Sequence, residues 1–314
     1  MFVTFVPSQV PSNWYPSEAV SKELVWQEHP NGAFATAVLE CDPDAKPLST
    51  ALLERIRQHF RMGGPRGQPQ TKYDIVSIQL VRNPTLARNF ADSCVTLERR
   101  IAAHPNVFAK AFPDDGVKHM LMKRLKQHFL PTATKHVHVM PVWHGTAAAQ
   151  SICTHGAADL RRVDGGFFGA GIYSTPHAEY ACTYCSPNTA GDRTVLLQLV
   201  LTGNTYPISR QTDYEHPDKI IGGSVSCFHF QHPVPYDPET GKFDTRTANL
   251  HKSDKGMKAG FDSHFVSVSK KMQYQATDSA VGYDYDEIVV KEAAQVLPLA
   301  IVKFKAKLSI GDVE

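Results

Sequence analysis

The chain lacks any uninterrupted apolar run long enough to cross a bilayer, and its opening segment MFVTFVPSQVPSNWYP carries no basic flank and is broken early by Pro7. The expectation is therefore an intracellular protein, cytoplasmic or nuclear, with no cleaved leader and no membrane partner. Charge of one sign is also lacking: 33 Lys and Arg against 31 Asp and Glu leave a net +2 over 314 residues. Composition gives no global push toward nucleic acid or anionic lipid, although a local basic patch is not excluded. Cysteine is sparse. Its six copies (Cys41, Cys94, Cys153, Cys182, Cys185 and Cys227) are scattered, unlike the dense framework of a small secreted domain. Cys182 and Cys185 have CxxC spacing, and Cys153 with His155 would complete a zinc set, but no second CxxC or HxxxH follows. Small hydrophobes packed on a helix are the favoured reading, and no metal is expected. The GxGxxG fingerprint is missing too. In Gly169-Ala170-Gly171-Ile172-Tyr173 the strand follows the glycines instead of preceding them, which argues against a doubly wound dinucleotide fold.

What is present suits a soluble globular protein with a sizeable core: 42% hydrophobic and 20% charged residues. Residues 1–47 hold one strand-like stretch, 32–40. Residues 48–61 place Leu52, Ile56 and Phe60 at four-residue intervals, an amphipathic helix. The Gly/Pro-rich run 62–70 then reads as a linker, giving an N-terminal segment or small accessory module at 1–69 and a main domain at 70–314. A strand is expected at 73–81, followed by Asn83-Pro84 as N-cap and first turn of a helix reaching Ala103. Another helix is expected at 117–129, and strands at 194–201, 261–267, 287–290 and 298–304. The long polar stretch 207–260 is read as loop. Short strands with few helices indicate an α+β fold.

The chain is organised around residues 142–185. A run alternating from His136 ends at Val142-Trp143-His144, the signature of a half-buried strand. Gly145 follows and can bring bare backbone close to a flat polar ligand. Thr146 is a plausible N-cap, 147–155 a short helix and Gly156 its C-cap. Beyond Asp164-Gly165-Gly166 come FGAGIYS and Thr175-Pro176, read as N-cap and first position of a second helix reaching Tyr184. Taken singly, each of these residues fits an ordinary turn-rich core.

Together, His144-Gly145-Thr146, the FGAGIYS segment and Asp286-Glu287-Ile288-Val289-Val290 resemble the poly(ADP-ribose) polymerase family of ADP-ribosyltransferases, over roughly residue 73 to the C-terminus. Three ordered motifs are far more specific than a lone glycine-rich match. The resemblance implies a diphtheria-toxin-like fold of two packed, antiparallel-rich sheets with flanking helices and no helical regulatory subdomain. It implies NAD as co-substrate and a His144, Tyr173, Glu287 triad on separate strands. His144 would hydrogen-bond the adenosine ribose, Gly145 would grip the nicotinamide carboxamide, and Tyr173 and Tyr184 would flank the nicotinamide ring. Gly171 belongs to the same pocket. Thr146 would add a ligand contact, though capping explains it equally well. Packing against Tyr180 is nearly as good a reading of Tyr184. Arg161 or Arg162 would meet the pyrophosphate, although a solvated arginine pair is the commoner outcome. Glu287 opens an apolar strand, where a carboxylate is costly unless paired or functional. One departure stands out: Ala181 occupies the place of a serine that reaches the carboxamide in many members.

The function this implies is an NAD-dependent ADP-ribosyltransferase, a glycosyltransferase, acting on protein or on itself, with at least short-chain elongation. Two alternatives remain. One is nucleic acid as acceptor, for which Lys252, Lys255, Lys258, Lys270 and Lys271 speak; the other is a non-catalytic module that binds NAD or ADP-ribose.

Overall fold

A computed structural model describes residues 17–44, 46–104, 116–158, 168–188, 191–213, 260–272 and 275–307, with Trp14 and the short pieces 236–237, 242–243 and 257–258. In chain order the helices are α1 Glu18–Lys22, α2 Pro47–Arg61, α3 Pro84–Ala103, α4 Gly116–Lys126, α5 Ala149–His155, α6 Ala178–Cys182 and α7 Arg210–Asp213. The strands are β1 Gln27–Glu28, β2 Ala35–Val38, β3 Tyr73–Arg82, β4 Val139–Gly145, β5 Ile172–Ser174, β6 Arg193–Leu201, β7 Thr205–Pro207, β8 Tyr236–Asp237, β9 Lys242–Phe243, β10 Ser263–Ser269, β11 Gln275–Ala276, β12 Tyr285–Val290 and β13 Val296–Ala306.

Two sheets form the body. The first runs β1-β2-β3-β13-β6-β4, every pairing antiparallel. The second runs β11-β10-β12-β5, with β7 joining β10 in parallel. This is the antiparallel-rich α+β architecture expected. The sheets are stitched where β4 leaves the first one: Trp143 and Thr175 exchange backbone hydrogen bonds of 2.7 and 3.0 Å. That stitch sets His144 beside the end of β5.

The largest core lies between α2, α3 and the first sheet, where Leu53, Ile56, Phe60, Phe90, Trp143, Leu197, Val302 and Phe304 are all buried. Burying one such side chain is worth about 1.5–3 kcal/mol. Residues on both sides of the 62–70 run share this core, and β2 pairs with β3 across it. A second cluster, containing Leu121, Leu125, Met140, Phe265, Ile288 and Val290, packs α4 against the second sheet.

Several boundaries differ from the sequence reading, each for a visible reason. Asn83 caps α3 as expected, accepting from the N–H of Thr85 and Leu86 at 3.1 Å, and its amide also donates to the Cys153 and Thr154 carbonyls near the end of α5. Strand β4 starts at Val139 instead of His136 because the Glu98 carboxylate takes the N–H groups of Lys135, His136 and Val137. Helix α5 begins at Ala149 after Ala148, and Thr146 accepts from the Ala148 N–H at 3.0 Å in a short turn ahead of it. Gly156 does end that helix, with φ of 85°. Thr175 is not the cap of α6. Its hydroxyl donates to the Asp286 carbonyl at 2.6 Å and accepts from His177 N–H at 3.1 Å, so the helix waits until Ala178 and closes at Cys182. The expected loop 207–260 lies largely outside the described residues.

Candidate active site

Strand alternation decides which side chains meet. Tyr173 on β5 stands opposite Val289 on β12, and Glu287 is two residues from Val289. Residues directly opposite, and residues two apart, share a sheet face, so Tyr173 and Glu287 point the same way while Asp286 and Ile288 point the other. The stitch between Trp143 and Thr175 then delivers His144 to the same corner. Its Nδ1 donates to the Tyr173 carbonyl at 2.7 Å. Burial lowers the His144 pKa and outweighs the opposing effect of that hydrogen bond. The ring is therefore neutral, with Nε2 carrying the lone pair.

Tyr173 is held at its hydroxyl, which donates to the Gly169 carbonyl at 2.8 Å and accepts from the Phe168 N–H at 2.7 Å. A loop tied back on its own strand in this way fixes the ring. Gly171 explains itself by packing: a Cβ there would sit 2.6 Å from the Val290 carbonyl oxygen and 2.8 Å from Val289 Cγ1. Gly145 is tighter still. A Cβ there would fall 2.1 Å from the Ala181 carbonyl oxygen and 2.9 Å from Tyr184 Cβ. The sequence suggested that a side chain at this position would crowd a ligand; in the structure it would first strike α6.

Glu287 is 7% exposed and accepts a 2.5 Å hydrogen bond from the Tyr180 hydroxyl. Burial pushes its carboxyl up to about 7, partly offset by that donor. Tyr180 in turn accepts from the Tyr184 hydroxyl at 2.9 Å and stacks flat on Tyr285, with centroids 4.7 Å apart and planes 3° from parallel. Burial and the neighbouring carboxylate raise the Tyr180 pKa strongly, so it stays a donor. Below this stack, Glu179 is 3% exposed and accepts from the Tyr285 hydroxyl at 2.8 Å, with Lys72 at 3.0 Å and Lys270 at 3.4 Å. Desolvation opposes ionisation of Glu179, but these partners bring its pKa below the usual value.

The structure thus brings His144, Gly145, Tyr173, Gly171, Tyr184 and Glu287 to one corner. Thr146 adjoins it but spends its hydroxyl on the turn before α5. Ala181 lies against Gly145, and its side chain is part of the main core. Arg161, Arg162 and Asp164 lie outside the described residues. Cys182 and Cys185 are buried, and burial raises their thiols, that of Cys185 to about 11. Tyr180 was missed as a site residue. Its four-residue spacing to Tyr184 reads as helix packing, and a partner 107 residues away leaves no local signal. His264 was missed as well. It is buried, donates from Nδ1 to the Phe168 carbonyl at 2.6 Å and accepts the Lys258 N–H at 2.9 Å, clamping the loop that holds Tyr173.

Two packed antiparallel-rich sheets, with a histidine, a tyrosine and a glutamate converging from β4, β5 and β12, define an ADP-ribosyltransferase fold. The poly(ADP-ribose) polymerase catalytic domain family matches residues 53–226 of this sequence, more than half of its length, and the chain belongs to that family. Comparison with curated proteins gave no match. Family domains use NAD as substrate, so the chemistry of the chain is ADP-ribosyl transfer in general terms. Among the described residues no helix is long and apolar enough to cross a membrane.

Proposed function

We propose that the corner built by His144, Tyr173 and Glu287 cleaves the nicotinamide–ribose bond of NAD and transfers ADP-ribose to protein, this chain included. The observation that supports it most is Glu287, a buried carboxylate on the face of Tyr173, oriented by a tyrosine hydroxyl and placed one strand from the loop that fixes the Tyr173 ring. A binding module has no evident need for such a group.

The residues fit the substrate. Gly145 offers backbone at a point where α6 leaves no room for a side chain. Tyr184, 60% exposed, and the fixed Tyr173 ring supply aromatic faces for nicotinamide, worth about 0.5–1.5 kcal/mol beyond area burial. Their attraction is stronger while the ring is cationic. Neutral His144 presents an acceptor to a ribose hydroxyl. As the C–N bond breaks, its electron pair leaves with nicotinamide and positive charge develops at the anomeric carbon. An ionised Glu287 stabilises that charge, the term that usually dominates catalysis, and the approaching cation itself favours the ionised form. The acceptor nucleophile then forms the new bond and its proton passes to Glu287 as general base.

Protein is favoured over nucleic acid as acceptor by the near-neutral net charge of +2 and by the contacts of two of the five lysines, Lys271 being exposed. Lys270 is turned onto Glu179 and the Tyr285 ring, 4.7 Å from its centroid, and Lys258 lies 5.6 Å from the Tyr206 centroid. Lys252 and Lys255 lie outside the described residues. The region before β3 is proposed as an elaboration of the catalytic core, since its β2 pairs with β3 and its α2 shares the main core. A glutamate at the third triad position is compatible with elongation, and short chains are proposed. Incubation with labelled NAD, with and without RNA, tests the whole reading. Label on protein, running as a ladder sensitive to a poly-specific glycohydrolase, is the expected result. One discrete shifted band would restrict the enzyme to single-unit transfer, label on RNA would replace the acceptor, and no label anywhere would refute the activity.

A further inference from the structure

On the opposite face of β12 from Glu287, a second polar cluster joins three elements. His128 comes from the turn after α4, His177 from the N-cap of α6 and Asp286 from β12 itself. Their ligand atoms all lie within 4.8 Å of one another. The Asp286 Oδ2 is 3.4 Å from His128 Nε2 and 3.6 Å from His177 Nε2. The other carboxylate oxygen, Oδ1, is taken: Ser267 Oγ donates to it at 2.5 Å and Arg124 approaches at 3.5 Å. Oδ2 is thereby turned toward the two imidazoles.

His177 is the informative residue. It is 3% exposed, and its Nδ1 donates to the Gly64 carbonyl at 2.9 Å. A histidine fixed by such a backbone bond carries its lone pair on Nε2, the arrangement that orients metal-bound imidazoles. Yet His177 Nε2 is buried with no hydrogen-bond partner. A lone pair and a carboxylate oxygen therefore face each other across 3.6 Å, an arrangement that a cation would relieve. Ligands about 2.0–2.2 Å from a tetrahedral divalent ion stand roughly 3.3 Å apart, close to the two separations from Asp286 Oδ2. We propose that His128, His177 and Asp286 bind a divalent transition metal, zinc by ligand type, with a fourth position open. Two imidazoles and one carboxylate suit zinc and its borderline neighbours over magnesium or calcium. The Arg124 guanidinium, stacked 3.5 Å from the Tyr283 ring centroid, pairs with Asp286 Oδ1 at 3.5 Å and opposes the added charge from the far side of that carboxylate. The ion would pin α4, α6 and β12 together behind the carboxylate on the other face. The absence of a second CxxC or an HxxxH led to the expectation of no metal; these three ligands are separated by 49 and 109 positions and follow no spacing rule.

The experiment uses the full chain, stripped with chelator and loaded with Co2+ or Zn2+ alone. Expected are visible ligand-field bands from one Co2+ per chain, no near-ultraviolet thiolate band, and a rise in Tm with Zn2+. His128→Gln changes a half-buried turn residue and should fold normally by circular dichroism. It should weaken Co2+ binding by at least about tenfold, and His177→Gln should do the same. Wild-type protein with neither Co2+ bands nor a Zn2+-dependent Tm shift would overturn the proposal and leave a plain histidine–aspartate cluster. Equal uptake by both variants, or thiolate bands that vanish in Cys182→Ser, would overturn it by placing the metal elsewhere.

Discussion

Replacing Tyr180 with phenylalanine removes one oxygen from the site and little else. The ring stays stacked on Tyr285, and α6 keeps its packing. What is lost is the 2.5 Å donor to Glu287 and the 2.9 Å acceptor for Tyr184. A hydrogen bond to a charged group is worth about 1.5–3 kcal/mol, and most of it should appear where Glu287 must hold its charge in place, in the transition state. That corresponds to roughly a tenfold to hundredfold fall in single-turnover transfer. The folded state should lose only about 1 kcal/mol, a Tm decrease of about 2–4 °C in a domain of this size. Tyr184→Phe is the matched control. It removes the outer link of the chain, leaves the donor to Glu287 in place, and should change transfer by a few-fold at most. The assay is quenched-flow transfer from labelled NAD at saturating concentration, with differential scanning fluorimetry on the same samples. Wild-type transfer in Tyr180→Phe would refute the positioning role, as would equal losses in the two variants.

Two further outcomes follow from the geometry. Ala181 turns its carbonyl toward Gly145 and its side chain into the main core, so in Ala181→Ser the hydroxyl should donate back to the His177 carbonyl within the helix and leave nicotinamide binding by calorimetry within about 0.5 kcal/mol of wild type; a gain approaching the roughly 0.5–1.5 kcal/mol of a full hydrogen bond would contradict that placement. His264, fully buried and clamped on both nitrogens, has its pKa lowered to about 4 by burial. Between about 6.5 and 4 the unfolded chain therefore binds a proton that the native state refuses. Stability should fall by about 3 kcal/mol as pH drops through that window and return above it. Urea midpoints across the range should show a shallower slope in His264→Gln, and unchanged slopes would contradict the assignment.

The sequence made the local devices legible and hid the distant ones. Asn83-Pro84 announces α3 because a cap acts within its own turn. The Gly145 and Gly171 positions were visible as glycines, although the atoms that demand them, the Ala181 and Val290 carbonyls, were not. The triad was readable only because three short motifs recur together in a known family; alternation alone puts Glu287 on a strand without saying which face it shares. Long-range polar pairing stayed invisible. Glu98 capturing three N–H groups trimmed β4, Thr175 bonding to Asp286 delayed α6, and Tyr180 reaching Glu287 supplied a site residue. None of these leaves a periodic trace, because a side chain that bonds to a residue 37 to 111 positions away imposes no pattern on its neighbours. The family match also stops at residue 226, so the place of Glu287 rests on strand register and on its tyrosine partner.

Glu287→Gln tests that place most directly. The substitution keeps size and a hydrogen-bonding oxygen but removes the charge that matters mainly as the nicotinamide bond breaks. Binding of NAD by calorimetry should stay within a few-fold of wild type, while single-turnover transfer falls by orders of magnitude. Transfer near the wild-type rate in a folded Glu287→Gln protein would contradict the account at its centre.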